Sequence, residues 1–241
     1  MDDLNRADGV RIAVEHRSGR GPTLVFLPGY MSDMQGTKAL ALKAWAEKSG
    51  RAMLRLDYSG CGASGGRFED GTLDVWRDDV LLVIEQIKGP VVLVGSSMGG
   101  WLMLLVARAL GDRVVGLVGI AAAPDFTDWG YTSDEKDRLQ RSERIDQPSD
   151  YGDPMPTYAA FWKSGETNRQ LTGEIPINCP VRLLHGQRDA DVPWDISVQL
   201  AARLCSDDVQ VTLVKDGDHR LSREQDIALL IATIEHLLET L

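Results

Sequence analysis

Residues 91–110 read VVLVGSSMGGWLMLLVARAL, and this stretch decides the fold. An apolar run leads into G-x-S-x-G and then into a helical pattern, which is the strand–turn–helix context that this motif requires. Gly95 and Gly99 flank Ser97 because bulk at either position would clash with neighbouring backbone. The N-terminus of the helix would favour negative charge that develops beside the serine. The stretch therefore predicts that Ser97 is a nucleophile, the alternative being an incidental serine in a glycine-rich turn.

Outward from this stretch, short β-branched runs alternate with longer helical stretches. The candidate strands are Arg11–His16, Thr23–Leu27, Ala52–Asp57, Val91–Val94, Val114–Ala121, Val181–His185 and Val209–Val214. The candidate helices are Thr37–Lys48, Leu73–Ile87, Met98–Leu110, Trp194–Leu204 and Ser222–Leu238. Several of the strands are apolar on both faces, as in a sheet that helices cover on both sides. The alternation predicts an α/β fold with an open, mostly parallel central sheet flanked by helices.

The composition is that of an ordinary soluble globular protein. The chain has 241 residues, of which 43% are hydrophobic and 26% are charged, and its formal net charge is −10. We therefore expect one domain that spans residues 1–241. A chain this acidic repels phosphate backbones, which argues against general nucleic-acid binding. No apolar run approaches the ~20 residues that a membrane span needs.

Cysteine usage and the opening residues predict the compartment. The cysteines are Cys61, Cys179 and Cys205, an odd number without a CxxC pair, which favours neither a disulfide framework nor a zinc site. The opening MDDLNRADGV lacks the basic and apolar regions of a secretory signal. We therefore expect a reducing, cytoplasmic location. We also expect no metal and no cofactor.

A serine hydroxyl needs a general base, and four histidines are available. His16 lies in an N-terminal strand, His236 lies in the last predicted helix, and His185 ends a strand. His219 lies in a glycine-containing turn between a strand and the last helix. A loop that follows a strand can bring a histidine over the carboxyl edge of the sheet. We therefore predict that His219 is the base.

The base in turn needs an acid that orients it, and two aspartates of one loop compete for this role. Asp189 lies closer to the end of the preceding strand, at the crest of the turn. Asp191 lies close enough to Pro193 and the next helix to act as a carboxylate at the helix start. We predict Asp189 as the acid and keep Asp191 as the alternative.

Acyl transfer also needs donors for the oxyanion. The residue after the nucleophile, Met98, can donate one backbone N–H. The second donor should come from the loop after the strand Thr23–Leu27, where Gly29 allows a close approach of the backbone. Tyr30 is the predicted donor in that loop, and Met31 is the alternative.

Residues from Pro124 to Pro180 break the alternation, because the sequence there is polar and irregular. Such an insertion is either a solvated excursion between two strands or a lid over an apolar pocket, and we predict a small lid. Aromatic side chains on a charged excursion gain nothing from exposure, so some should face the sheet above Ser97 and contact an acyl chain. The main candidates are Trp129, Tyr131, Tyr158, Phe161 and Trp162.

Five phrases of the sequence resemble a known family. They are FLPGYMSDMQGTKA (26–39), LDYSGCGASGG (56–66), GSSMGG (95–100), CPVRLLHGQRDADVPW (179–194) and VKDGDHRLS (214–222). From Arg11 to the C-terminus the chain resembles serine hydrolases of the α/β-hydrolase fold. Within them it is particularly similar to the mitochondrial palmitoyl-protein thioesterases, also described as acyl-glucuronide esterases, and their bacterial relatives. Many members of the wider family carry histidine where this chain has Pro28.

The resemblance implies hydrolysis of esters or thioesters by Ser97, Asp189 and His219, which lie in the matching triad positions. The chain order Ser, Asp, His is that of α/β-hydrolases. The implied partner is a small-molecule or an acylated-protein substrate, and the oligomeric state is left open. Two other functions stay open for this fold. They are a catalytically silent binding module and a haloperoxidase-type or lyase-type activity.

Overall fold

The computed structural model describes residues 3–148 and 154–241. The strands are β1 (Leu4–Asn5), β2 (Arg11–Ile12), β3 (Val14–Arg17), β4 (Arg20–Leu27), β5 (Arg51–Leu56), β6 (Val91–Ser96), β7 (Val114–Ile120), β8 (Ile145–Gln147), β9 (Met155–Thr157), β10 (Val181–Gly186) and β11 (Val209–Val214). The helices are α1 (Thr37–Ser49), α2 (Leu73–Ile84), α3 (Met98–Leu110), α4 (Phe126–Trp129), α5 (Ser133–Gln140), α6 (Ala159–Thr167), α7 (Asp195–Arg203) and α8 (Glu224–Thr240).

Seven of these strands form the central sheet, in the order β11-β10-β7-β6-β4-β5-β3. Only β3, at one edge, is antiparallel to its neighbour; the other pairs in this sheet are parallel. Helices cover both faces of the sheet. The predicted α/β fold with a mostly parallel sheet is confirmed.

The two faces of the sheet are filled by alternate residues of each strand. In β4, Leu24 and Phe26 pack with α1 and α8, whereas Val25 and Leu27 pack on the opposite face with α2 and α3. This two-sided burial explains why the central strands read as continuous apolar runs in the sequence.

Most predicted elements differ in bounds by one to three residues, and two of the differences have a clear physical form. The strand expected over Arg11–His16 is divided at Ala13, whose backbone N–H donates to Ser64 Oγ (2.8 Å) and whose carbonyl accepts from the Asp57 N–H (3.0 Å). The loop after β5 therefore takes the place of a strand partner at this residue. The helix expected to reach Ile87 ends at Ile84 and continues as a tighter turn.

The segment 124–180, in which no helix or strand was predicted, has regular structure over much of its described part. It contains α4, α5 and α6 and the antiparallel pair of β8 and β9. Residues 134–140 of the charged run Asp134–Arg144 lie in α5, which begins with a capping box between Thr132 and Glu135. Residues 149–153 lie outside the described part of the chain. Among the described residues, no helix is long and apolar enough to cross a bilayer.

The carboxyl ends of the parallel strands meet at one edge of the sheet. The loops that leave this edge after β4, β6, β10 and β11 carry Tyr30, Ser97, Asp189 and His219 in turn. The segment that contains α4–α6 leaves from the same edge, after β7, which lies between β6 and β10. The topology therefore brings all the predicted site residues to one place.

Candidate active site

Ser97 lies in the tight turn between β6 and α3, with φ of 55° and ψ of −122°. A positive φ is strained for a residue with a side chain, and the surrounding backbone holds it in place. A Cβ atom on Gly95 would lie 2.3 Å from the carbonyl O of Gly99, and one on Gly99 would lie 2.1 Å from the carbonyl O of Leu27. Only glycine fits at both positions, which is the physical reason predicted for the motif.

The structure brings Ser97, His219 and Asp189 together in one hydrogen-bonded chain. His219 Nε2 lies 3.0 Å from Ser97 Oγ, and His219 Nδ1 lies 2.8 Å from Asp189 Oδ2. Because a carboxylate only accepts hydrogen bonds, Nδ1 carries the proton and Nε2 is free to accept the serine proton. This is the geometry of a nucleophile, a base and an orienting acid.

The loops that carry the acid and the base are held against each other at two glycines. A Cβ atom on Gly186 would lie 2.3 Å from the carbonyl O of Gly217. The Arg188 N–H donates to that same carbonyl, at 2.8 Å. The distance between Asp189 and His219 is therefore fixed by backbone contacts rather than by the two side chains alone.

The Asp189 carboxylate is fully buried and accepts four hydrogen bonds. Oδ1 accepts the backbone N–H groups of Asp191 (2.9 Å) and Val192 (2.8 Å), and Oδ2 accepts from His219 and from His185 Nε2 (3.1 Å). Burial alone would raise the pKa of Asp189, but the hydrogen bonds from the two imidazoles outweigh it and hold this pKa well below its usual value. The carboxylate is therefore ionised at neutral pH.

His185 is the member of this network that the sequence analysis did not find. It is completely buried, and its Nε2 faces two acceptors, Asp189 Oδ2 and the carbonyl O of Val192, both at 3.1 Å. Nε2 therefore carries the proton, and Nδ1 accepts from the hydroxyl of Ser197, 2.7 Å away. The spacing of a histidine at the end of β10, four residues before Asp189, is the only signal of this contact in the sequence.

Asp191 lies near the site but is exposed, unlike the side chain of Asp189. It is not the N-cap of α7; that residue is Trp194, and the acidic residue of the first turn is Asp195. Ligand atoms of Asp189, Asp191 and His219 lie within 4.8 Å of one another, a spacing that could hold a metal ion. The oxygens of Asp189 are already engaged by N–H donors, so this geometry suits proton transfer better than metal binding.

The predicted oxyanion donors lie on both sides of Ser97. Met98 is the first residue of α3, where a backbone N–H has no partner within the helix. Gly29 brings the loop after β4 close, since a Cβ atom there would lie 3.3 Å from Ser97 Cβ. Tyr30 and Met31 both line the cavity around the serine, so the second donor stays open between them.

The side chain of Tyr30 also anchors the loop after β4. Its hydroxyl donates to the carbonyl O of Pro156 in β9, at 2.7 Å, and Tyr58 donates to the carbonyl O of Pro28, at 3.0 Å. The Tyr30 ring packs among Phe68, Trp76, Phe126 and Phe161, with ring centroids 4.8–6.2 Å away. The predicted oxyanion loop is thereby anchored to the segment that follows β7.

Ser97 and His219 line a cavity of about 830 Å³, a size typical of sites for small molecules. Apolar side chains that line it from the segment after β7 are Ala123, Phe126, Trp129, Tyr131 and Met155. Polar and cationic side chains line it from the loop after β4, from α1 and from the turn after β11; these include Ser32, Lys38 and Arg220. The segment after β7 also contributes the polar residues Glu135, Gln147 and Thr157, and the loop after β4 contributes Met31, so both sides of the cavity are mixed.

The aromatic residues expected above Ser97 fall into two groups. Trp129 and Tyr131 line the cavity. Only some of the five were expected to face the site, and the other three lie elsewhere. Tyr158 lies beside Phe68, with ring centroids 6.3 Å apart. Phe161 is buried in the core against Trp76, and Trp162 packs against a small cluster around Leu139. These two side chains fasten the segment to the domain, because α6 lies between the core and α5.

Comparison with known proteins identifies the family of this chain. The profile of the alpha/beta hydrolase family matches residues 24–233. The chain belongs to the alpha/beta hydrolase family. It is 43% identical to the human protein "Palmitoyl-protein thioesterase ABHD10, mitochondrial" over 99% of this chain and 80% of that protein. The structure of mouse alpha/beta hydrolase domain-containing protein 10 is 39% identical, with a TM-score of 0.92 over 99% of this chain and 98% of that one.

A bacterial structure is similar to the same degree. It is described as a putative hydrolase from Agrobacterium vitis S4, is 39% identical, and has a TM-score of 0.91 over 99% of this chain and 97% of that one. The resemblance expected from the five sequence phrases is thus confirmed for the family.

The prediction of a cytoplasmic location is wrong, because the human, orangutan and mouse relatives are described as mitochondrial proteins. The prediction depended on cysteine number and on the opening residues. Neither observation distinguishes one reducing compartment from another.

Proposed function

We propose that this protein is a serine hydrolase that cleaves carboxylic esters or thioesters through an acyl-enzyme. The observation that carries the proposal is the chain of hydrogen bonds from Ser97 Oγ to His219 (3.0 Å) and from His219 to Asp189 (2.8 Å). The names of the relatives, which are palmitoyl-protein thioesterases, support an acyl thioester as the substrate. Trp129 and Tyr131 offer an apolar surface on which an acyl chain could lie.

In the proposed reaction, Ser97 Oγ attacks the acyl carbon while His219 Nε2 takes the hydroxyl proton. Asp189 stabilises the imidazolium, and the N–H groups of Met98 and Tyr30 stabilise the oxyanion. The bond from the acyl carbon to the leaving oxygen or sulfur breaks, and the leaving group receives the proton from His219. Water, deprotonated by His219, then attacks the acyl-enzyme and releases the carboxylic acid and free Ser97. No metal or cofactor takes part in these steps.

The proposal includes a single domain over residues 1–241 with a lid over Pro124–Pro180. The described elements of that segment, α4–α6 with β8 and β9, are consistent with a lid because several of their residues line the cavity of Ser97. The substrate is a small acyl ester or thioester, or an acylated protein whose acyl group enters beneath this lid.

The proposal is tested by Ser97→Ala beside the matched variant Ser96→Ala, since the two serines are adjacent in one motif. A triad acts as a unit, so Ser97→Ala should lower kcat for p-nitrophenyl ester hydrolysis on the order of 10⁴-fold or more. It should also abolish labelling by a fluorophosphonate probe, whereas Ser96→Ala should keep the labelling. Undiminished turnover by Ser97→Ala in a folded protein would refute the proposal and favour a binding module.

A further inference from the structure

The oxyanion loop, residues 28–36 after β4, carries both candidates for the second oxyanion donor. One of them, Met31, has a φ of 55°, which is strained for a residue with a side chain. The Met31 side chain is 47% exposed, so its own packing does not impose this conformation. A strained conformation persists only where the surrounding structure holds it, which makes the contacts on either side of the donors important.

Two buried charged side chains hold the oxyanion loop at Met34, on the C-terminal side of the donors. The Met34 N–H donates to Asp57 Oδ1, at 2.7 Å, and the Met34 carbonyl O accepts from Arg55 Nη1. Arg55 lies in β5, Asp57 directly follows this strand, and both are almost completely buried. Side chains at the end of β5 therefore satisfy both backbone polar groups of Met34.

Tyr58 holds the oxyanion loop at its other end. Its hydroxyl donates to the carbonyl O of Pro28, at 3.0 Å. Tyr58 is completely buried, and its ring stacks on Trp76 with ring centroids 5.6 Å apart. Both candidate donors lie between Pro28 and Met34 in the chain, so the loop is held on both sides of them.

Asp57 also joins the oxyanion loop to the loop that follows β5. Its Oδ2 accepts the N–H of Ala63, at 2.8 Å. A Cβ atom on Gly62, whose φ is 49°, would lie 2.2 Å from Asp57 Oδ2 and 2.9 Å from Asp33 Cβ. The two loops are therefore in direct contact, and one carboxylate accepts a backbone N–H from each of them.

The two charged side chains are costly to bury unless their partners are in place. Burial raises the pKa of the Asp57 carboxyl, whereas its two backbone N–H donors and the charge of Arg55 oppose this rise. Arg55 Nη2 donates to Glu15, its register partner in β3, and Glu15 also forms an ion pair with Lys43. Apolar side chains in the same space would leave both backbone groups of Met34 without partners.

We infer that Asp57, Arg55 and Tyr58 are positioning residues for the oxyanion, which act by fixing the loop that donates to it. The inference rests on the proposed function and adds residues to its machinery. None of the three lines the cavity of Ser97, so none is placed to bind the substrate. Because the oxyanion forms only during the reaction, their loss should lower kcat and leave KM nearly unchanged.

The test compares two ketones of equal chain length, 1,1,1-trifluorodecan-2-one and decan-2-one. Ser97 Oγ adds to the carbonyl carbon of the trifluoromethyl ketone, and the hydroxyl proton passes to His219. The π electrons of the carbonyl move to its oxygen, which becomes the oxyanion of a hemiketal. Decan-2-one is far less electrophilic and binds without this step. The measurement is the ratio of the two inhibition constants, from which a change in binding of the alkyl chain cancels.

Three substitutions loosen the loop at its separate contacts. Asp57→Asn keeps the shape of the side chain and should lower kcat for a p-nitrophenyl ester about 10- to 100-fold, because a small misplacement of a donor is costly. The preference for the trifluoromethyl ketone should fall by the same factor. Tyr58→Phe removes one hydroxyl and should lower both quantities about five-fold. Arg55→Met should also lower both, and Arg55→Lys, which can still donate to the Met34 carbonyl, should recover most of the loss.

Two control variants separate positioning from a general loss of stability. Asp125 is the matched carboxylate, because it is buried and accepts two backbone N–H groups, at 2.7 and 2.8 Å, but lies after β7. Asp125→Asn should leave the ratio of inhibition constants unchanged. Glu15→Gln, which alters Arg55 on the side away from the loop, should also leave it unchanged. In the positioning variants, the acid limb of kcat/KM against pH, which reports His219, should stay in place.

The inference would be overturned if folded Asp57→Asn and Tyr58→Phe kept the wild-type ratio, or lowered it no more than Asp125→Asn does. A shift of the acid limb together with the ratio would also overturn it, because these residues would then act on the triad. If Asp57→Asn did not fold, Tyr58→Phe and the two Arg55 variants would decide. In each case the wild type would still hydrolyse esters, and the proposed function would stand. The proposed function itself would fail if Ser97→Ala kept the wild-type preference for the trifluoromethyl ketone.

Discussion

The two aspartates of the loop after β10 allow the same substitution to be made two residues apart. In Asp189→Asn, one carboxylate oxygen becomes an NH₂ group. In one orientation the NH₂ group points at the two imidazole N–H donors of His219 and His185. In the other orientation it points at the backbone N–H groups of Asp191 and Val192. Either orientation leaves donors without an acceptor in a fully buried position. His219 should then adopt the wrong tautomer, and kcat should fall about 10⁴-fold.

Asp191→Asn should have a much smaller effect. The Asp191 carboxylate is exposed, and its nearest oxygen lies within 4.8 Å of a ring nitrogen of His219. Two unit charges at ~4 Å in water interact by about 1 kcal/mol, so loss of this charge should lower kcat by less than about five-fold. Added salt should reduce even this difference, because exposed charges are screened.

The assay is kcat and KM for a p-nitrophenyl ester, with the thermal unfolding temperature of each variant measured beside it. The expected ranking is a large loss of kcat in Asp189→Asn and a small one in Asp191→Asn, with both proteins folded at the assay temperature. If Asp191→Asn lost activity by orders of magnitude and Asp189→Asn did not, the orienting acid would be Asp191. The account of the hydrogen-bond network would then be wrong.

Two further predictions come from the same structure. His185→Asn removes one N–H donor from Asp189 and so should raise the pKa of that carboxylate. We expect kcat to fall about 10- to 100-fold with little change in KM. The acid limb of the pH profile should move to higher pH. An unmoved pH profile would leave His185 with a purely structural role. Trp129→Ala should flatten the rise of kcat/KM across a C2 to C16 thioester series, in which each buried methylene contributes about 0.8 kcal/mol. Trp162→Ala is the matched control, because it also removes a half-buried indole that donates to a backbone carbonyl. It should keep the wild-type dependence of kcat/KM on acyl length. If the two variants showed the same dependence, Trp129 would have no role in binding the acyl chain.

The parts of the fold that were predictable from the sequence are those in which local and tertiary requirements agree. α3 begins at Met98 and ends at Leu110, as predicted, because an apolar strand, two obligatory glycines and a helical run all indicate the same boundary. Ser97, Asp189 and His219 were found for a related reason. Each lies in a loop directly after a strand, and parallel strands place such loops at one edge.

The parts that were missed depend on contacts that the local sequence pattern does not show. Nothing near Phe161 in the sequence shows that its ring packs against Tyr30 and Trp76, which is what orders α6. His185 gives no sign, in its neighbours, that both of its ring nitrogens have partners in the fold. Only the close approach of the loop after β10 to the start of α7 brings Ser197 to Nδ1. Local pattern identifies the reacting groups better than it identifies the groups that hold them.

The position of β7 explains how chemistry and substrate choice could be separated in this protein. β7 lies between β6, which carries Ser97, and β10, which carries Asp189, so the segment that follows β7 leaves the sheet beside the nucleophile. The acid and the base are held instead by β10, β11 and the contact between Gly186 and Gly217, none of which involves that segment. The described part of residues 124–180 contacts the catalytic machinery at two places. Val192, whose N–H donates to Asp189, packs with Phe126, Trp129 and Leu171, and the Tyr30 hydroxyl donates to the carbonyl O of Pro156. A change in β9 should therefore act on the oxyanion loop before it acts on the base.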